Sequence, residues 1–324
     1  MRIVVWIPVE PYRDAVVPAL ADVEGVDLVV IDDPARLPEV LPGAAAMISS
    51  GASKYSAETA RLLSETPSLR WFQTVAAGNE GFESHGVPAH VTVTSSGGHS
   101  APVVAEHAMA LLLAISHCMP DFIAARSTHD WSRAFAPRFR SMFGKTAVVV
   151  GLGRIGQEIA RRARAFDMKV IGVTRSGNPH AAVDACYPAS RIAEALARAD
   201  AILLAAPLTA ETEKLIGRAE FAAMKPDAYL VNIARGKLID QDALRDALSG
   251  RTIAGAAIDV TYPEPLPADD PLWTAPNLIL SPHTAGGGSA ESPRRLAAAV
   301  RENLERFRAG KPLLHILNYG ANAR

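Results

Sequence analysis

Residues 146–166 read TAVVVGLGRIGQEIARRARAF, and the reading of the whole chain turns on them. A β-branched run, Thr146 to Val150, leads into Gly151, Gly153 and Gly156, spaced G-x-G-x-x-G. A helical pattern follows, with Ile155, Ile159, Ala163 and Phe166 on one stripe. Glycine spacing alone is weak evidence, because close helix packing also uses glycines. Here a strand precedes the motif and a helix and a second strand follow it. In that context the first glycine permits a tight turn, the second lets the backbone approach a pyrophosphate, and the third lets helix and strand pack closely. The helix N-terminus adds unpaired N–H groups and a positive dipole end. The stretch predicts a dinucleotide-binding turn; the plainer alternative is the same scaffold without a ligand.

The second strand of the unit, MKVIGV, ends in GVTRSGNP, residues 172–179. Dinucleotide folds often carry an acidic residue there, which binds the ribose hydroxyls and repels a 2′-phosphate. This chain has Arg175 between Thr174 and Ser176. An arginine is compatible with the 2′-phosphate, and the hydroxyls can add donors, so NADP is favoured over NAD. A solvated surface arginine is the plainer reading.

Working outward, an alternating series of strands and helices surrounds the turn. TAVVV, MKVIGV, DAILLAA, AYLVNIA, TIAGAAIDV and NLILSPH read as its strands. An earlier series, RIVVWI, VDLVVI, AAAMISS, LRWFQTV and VTVTSS, alternates with helical segments such as SAETARLLSET. Both patterns predict parallel βαβ units with helices on both faces. The first strand of the earlier series is followed by PVEPYRDAVVPAL, which has no glycine, so no phosphate-binding turn is expected there. Between the series, APVVAEHAMALLLAISHCMPDFIAAR reads as one long helix starting after Ser100 as its cap, with Val104, Ala108, Leu111, Ile115 and Phe122 at helical spacing. A last amphipathic helix, SAESPRRLAAAVRENLERFRAG, ends at Gly310, and Pro312 keeps it from resuming.

Composition narrows the class. The 324 residues are long enough for two domains, 49% of them are hydrophobic, and 33 Lys and Arg against 34 Asp and Glu leave a net charge of −1. No basic excess argues for nucleic acid, and no segment approaches a membrane span. Cys118 and Cys186 make no metal-type spacing and read as reduced thiols. The N-terminal apolar run is too short for a signal core. The expectation is a soluble cytoplasmic protein with no metal, no membrane and no nucleic-acid partner.

Ligands of open parallel sheets bind outside the carboxyl ends of the strands. In the second series Arg235 follows LVNIA, Asp259 follows AGAAI, His283 follows LILSP, and Glu264 lies between prolines in TYPEPLP. Each has a plainer reading: an ion-paired arginine, a turn-starting aspartate, a solvated glutamate, a core histidine. Together, beside a dinucleotide turn, they describe a reaction. Arginine binds a carboxylate with a planar fork. Histidine exchanges protons near neutrality, and a nearby carboxylate favours its protonated form. With a nicotinamide as hydride carrier, this is reversible reduction of a 2-oxo acid to a 2-hydroxy acid.

From Gly144 to Gly288 the sequence closely resembles the D-isomer-specific 2-hydroxyacid dehydrogenases, through GKTAVVVGLGRIG, PLTAETEKLIG, MKPDAYLVNIARGKLID, GAAIDVTYPEPLP, DDPLW and NLILSPHTAGG. VAAGNEGFE and VVAEHAMALLLA resemble the family more loosely. The resemblance implies two Rossmann-like α/β domains with parallel sheets. A dinucleotide-binding domain, 99–288, would be inserted into a discontinuous flavodoxin-like substrate domain, 1–98 plus 289–324, and would carry the contact of a homodimer. It makes Arg235 the substrate-binding arginine, Glu264 the partner carboxylate and His283 the acid–base. The cofactor would meet Gly151, Gly153, Arg154, Ile155 and Gly156 of the turn, then Thr174, Arg175 and Ser176. Pro207, Thr212 and Ala234 would line its cleft, and Asp259 would hold the nicotinamide carboxamide. Backbone N–H groups at Ala77 and Gly78 would cradle the substrate carboxylate, beside Arg235 and His283.

Formate dehydrogenases of the family have glutamine where Glu264 stands, which disfavours that specialisation. The family often has an aspartate after the substrate-loop glycine, whereas this chain reads Gly78-Asn79-Glu80. The expected activity is an NADP-preferring reductase of glyoxylate, hydroxypyruvate or a related 2-oxo acid. The alternatives are the same chemistry on a larger or phosphorylated acid, and a dinucleotide-sensing protein such as a corepressor.

Overall fold

A computed structural model describes residues 1–50, 55–76, 78 and 80–319. The chain divides into two compact units, Met1–His99 with Gly288–Arg324, and Ser100–Gly287.

The first unit is built on β1 (Arg2–Trp6), β2 (Asp27–Val30), β3 (Ala44–Ser49), β4 (Trp71–Thr74), β5 (Thr92–Thr94) and β13 (Ile316–Leu317), in the order β13-β5-β4-β3-β1-β2. β1 to β5 pair in parallel, and β13 joins β5 antiparallel. Alternate residues of the apolar strands enter opposite clusters. Ile3, Val5 and Ile48 pack with Val16, Leu20 and Leu296, while Val4, Met47 and Phe72 pack with Leu37, Leu63 and Phe82. Burial on both faces is what a parallel sheet covered by helices requires. The helix Glu291–Arg308 returns to this unit after the second has been built. Asn303 on it donates to Gln73 Oε1 at 3.1 Å and accepts the Leu314 N–H at 2.8 Å. Gly310 (φ 64°) follows the end of that helix.

The second unit has β6 (Thr146–Val150), β7 (Lys169–Thr174), β8 (Ala185–Pro188), β9 (Ala201–Leu204), β10 (Tyr229–Asn232), β11 (Gly255–Ile258) and β12 (Leu278–Leu280). All pair in parallel, in the order β12-β11-β10-β9-β6-β7-β8. The chain winds from β6 toward β8 on one side and from β9 toward β12 on the other. The reversal leaves a crevice at the carboxyl ends of β6 and β9, where such sheets bind ligands.

Three expectations are corrected. The long helix is two helices, Ala101–Ser116 and Met119–Thr128, bent by 58°. Cys118 between them is left-handed (φ 54°), and Pro120 in the first turn of the second helix has no N–H to continue the first. Ser100 occupies the cap position but makes no side-chain cap bond. Phe166, expected on the buried stripe, lies past its helix and is 43% exposed, while Ile159 and Ala163 are buried. β8 and the antiparallel β13 were not anticipated. No single helix among the described residues is long and apolar enough to cross a membrane.

Candidate active site

The glycine turn closes the end of β6. Gly151 has φ 93°, and a Cβ there would lie 2.7 Å from the Ala206 backbone beyond β9. A Cβ on Gly156 would lie 1.8 Å from Gly151 O, so turn and helix meet at a distance that only hydrogen permits. Gly153 faces open space and caps the helix Arg154–Ala165, whose first turn has no acidic residue and no side-chain cap. This arrangement fits a pyrophosphate: the first-turn N–H groups of a helix, its positive dipole end and room for the anion. Arg154 is exposed and Ile155 half-buried beside it. Leu152 is buried against Gly172 of β7, where a Cβ would lie 2.6 Å from its Cδ1.

At the end of β7, Thr174 Oγ1 accepts the Gly177 N–H at 3.0 Å, and Ser176 Oγ accepts the Asn178 N–H at 3.4 Å. Gly177 (φ 71°) packs against Pro188, and the turn so formed leaves Arg175 exposed. The loop after β9 is closed by Thr212, which donates to Pro207 O and accepts the Thr209 N–H, both at 2.7 Å. The Thr212 hydroxyl is thus engaged within its own loop, while Pro207 is exposed. In the same loop the Thr209 hydroxyl donates to Glu211 Oε2 at 2.7 Å. That bond holds the Glu211 carboxyl below its usual range, and the Arg175 charge adds a smaller pull.

Neighbouring strands β10, β11 and β12 carry the other candidates at their carboxyl ends. Buried Asn232 folds the chain after β10, accepting the Ala234 N–H at 3.0 Å and donating to Arg235 O at 2.9 Å. The Arg235 guanidinium donates to Ala234 O at 2.7 Å. Gly236 lies so close to the Thr261 backbone that a Cβ would come within 2.1 Å, which presses the Arg235 loop against the loop of Glu264. Gln241 brackets Tyr262, donating to its carbonyl at 2.8 Å and accepting its N–H at 2.7 Å. Glu264 Oε1 accepts the Thr261 N–H at 2.9 Å, and Oε2 lies 2.8 Å from His283 Nδ1. The pair is open to solvent, with side chains 52% and 37% exposed for His283 and Glu264. A carboxylate on Nδ1 makes that nitrogen the donor and leaves Nε2 for a reacting group.

Asp259, just past β11, is buried. Its side chain has no exposed surface. Oδ1 accepts from the Ser281 hydroxyl at 2.6 Å and the Thr284 N–H at 2.9 Å, and Oδ2 accepts the Ala285 N–H at 2.9 Å. The carboxylate therefore holds the loop of His283. Buried carboxylates need such donors. Asn232, Gly236, Gln241 and Ser281 escaped the sequence reading, because their partners are distant in the chain and their spacing carries no signal. Gly78 is half-buried in the first unit; Ala77 lies outside the described residues.

Against known proteins, residues 109–285 match the family described as D-isomer specific 2-hydroxyacid dehydrogenase, NAD binding domain. A glyoxylate reductase of Korarchaeum cryptofilum is 33% identical over 266 residues, 80% of this chain and 79% of that protein. A D-3-phosphoglycerate dehydrogenase of Mycobacterium tuberculosis is 34% identical over 322 residues, and the match covers 97% of this chain but 59% of that enzyme's length. Among solved structures, a D-isomer specific 2-hydroxyacid dehydrogenase family protein of Aeromonas salmonicida superposes with TM-score 0.83 at 28% identity, covering 98% of each chain. The chain belongs to the D-isomer specific 2-hydroxyacid dehydrogenase family of NAD(P)-dependent oxidoreductases.

Proposed function

We propose that the protein reduces a small 2-oxo acid, of the glyoxylate or hydroxypyruvate kind, to the D-2-hydroxy acid, with NADPH preferred. The 2.8 Å contact of His283 Nδ1 with Glu264 carries the reading. It orients the imidazole and leaves Nε2 to deliver a proton. The Arg235 guanidinium binds the substrate carboxylate, and the bound dinucleotide supplies the hydride. Hydride adds to C2 while the proton passes from His283 Nε2 to the carbonyl oxygen, leaving the imidazole neutral and the product a hydroxy acid.

Exposed Arg175, in place of an acid, supports the NADP preference. The test is consumption of NADPH and of NADH, separately, against glyoxylate, hydroxypyruvate and phenylpyruvate. NADPH oxidation with glyoxylate or hydroxypyruvate is expected; no turnover with any of them overturns the reading. Oxidation of 3-phosphoglycerate, the activity named for the mycobacterial relative, belongs in the same assay as the second reading.

The enzyme works as a homodimer joined through its second unit. Phe143 and Ile123 there are 74% and 72% exposed, and their apolar side chains support a contact on that unit. Sedimentation should show a dimer that Phe143→Lys with Ile123→Lys converts to monomer. A monomeric wild type contradicts this.

A further inference from the structure

His107 lies on the helix Ala101–Ser116, 174 residues before Ser281. Its Nε2 is nonetheless 3.3 Å from Ser281 Oγ and 3.5 Å from Asp259 Oδ1. Ser281 donates its proton to Asp259, so its oxygen has only lone pairs left for the imidazole. Nε2 is therefore the protonated ring nitrogen of His107, and it donates toward both oxygens.

Asp259 in turn determines the path of the chain around His283. Its carboxylate takes the side chain of Ser281 and the N–H groups of Thr284 and Ala285, and its carbonyl accepts the His283 N–H at 2.8 Å. His283 has φ 52°, a left-handed backbone that side-chain-bearing residues avoid unless held. Among the described residues, His107 is the side chain that reaches this carboxylate from outside the loop. The contact joins the segment just after one boundary between the units, at 99–100, to the segment just before the other, at 287–288.

We propose that His107 is a positioning residue for hydride transfer: through Ser281 and Asp259 it fixes the backbone on which His283 presents its imidazole. This rests on the acid–base role proposed for His283. Displacement of a reacting group by an ångström costs up to about a hundredfold in rate, so a loosened loop lowers kcat more than it weakens binding.

The test measures kcat, KM for the 2-oxo acid and Kd for the cofactor in His107→Leu, His107→Gln and Ser281→Ala. His107→Leu should lower kcat about ten- to a hundredfold, with KM and Kd nearly unchanged. His107→Gln, which keeps a donor near Nε2, should restore most of it. The double variant His107→Leu with Ser281→Ala should lose no more than the worse single variant, because both break one connection. Wild-type kcat in folded His107→Leu, or fully multiplied losses in the double variant, overturns the proposal.

If His107→Leu does not fold, His107→Gln and His107→Asn decide. The amide of Asn falls near Nδ1 and should not rescue, and equal kcat in the two overturns the proposal. His283→Ala, assayed alongside, separates the two claims. Full activity there removes the proposed function itself. An inactive His283→Ala beside unimpaired His107 variants removes only the positioning role.

Discussion

The two units each wind a parallel sheet, and they differ at the end of its first strand. β6 runs into Gly151-Leu152-Gly153 and a helix whose first turn has no acidic residue. β1 runs toward Pro8-Val9-Glu10-Pro11, where the helix Glu10–Ala21 opens on a carboxylate and a proline. An anion at the first helix meets free N–H groups and the positive end of the dipole. At the second it meets the charge of Glu10, and Pro11 has no N–H to offer. A parallel sheet therefore makes a crevice by topology alone, and the residues of one turn decide whether a phosphate is bound there.

Buried polar groups are used differently as well. In the second unit buried Asn232 and Asp259 shape the loops of half-buried Arg235 and exposed His283. In the first unit Gln73, Thr94 and Asn303 bond to one another and to the chain that follows the last helix. One set positions groups that face solvent; the other fastens the returning helix.

The largest way to break this contrast is at the exposed end of the second unit. His283→Ala should lower kcat by about two to four orders of magnitude while cofactor binding persists. Stopped-flow turnover with fluorescence titration of the cofactor checks both, and a variant retaining most of its activity would end the acid–base assignment.

Next in size is an effect confined to the first unit. His99 is 6% exposed, with Nδ1 2.7 Å from Ser96 Oγ. Burial, aided by the Arg295 charge, pushes its pKa from 6.5 down to about 4. Protonation therefore favours the unfolded chain. The stability that neutral His99 preserves is fully present above about pH 6.5 and is lost as pH falls toward 4, amounting to roughly 3 kcal/mol. Hydrogen exchange across that range should show the first unit weakening, and His99→Leu should flatten its pH dependence. A slope unchanged by the substitution would contradict the assignment to His99.

Smaller effects sharpen the cofactor reading. Arg175→Ala should raise KM for NADPH by about ten- to a hundredfold, the equivalent of one charge-assisted bond, with little change for NADH. The preference should fade in high salt, because the pair is exposed. Equal use of both cofactors by the wild type would make Arg175 a solvated surface residue. Glu211→Gln removes a negative charge acting on Arg175 and should strengthen the NADPH preference by about two- to fivefold. A weakened preference would show that Glu211 aids binding of the phosphorylated cofactor instead.

The glycine turn was legible in the sequence because its requirements are local: Gly151 needs a positive φ, and Gly156 needs the absence of one atom. Arg235, Glu264 and His283 could be found because strand ends in such sheets converge. The break at Cys118 was not legible, since a left-handed non-glycine residue is chosen by tertiary packing and its one local sign was Pro120. β8, reading ACYP, has too little β-branched character to be separated from a loop, and it exists by pairing with β7. The burial of Asp259 and its link to His107 depend on residues brought together from distant elements, which no spacing encodes.

The most direct measurement follows the hydrogen itself. Purified enzyme is given NADPH deuterated at C4 of the nicotinamide, on each face in turn, with glyoxylate or hydroxypyruvate, and the product is read by mass spectrometry and chiral chromatography. The account predicts a 2-hydroxy acid carrying one deuterium at C2 with one of the two labelled cofactors, and the D isomer from hydroxypyruvate. Product without deuterium from either cofactor, the L isomer, or no product from any 2-oxo acid would contradict it.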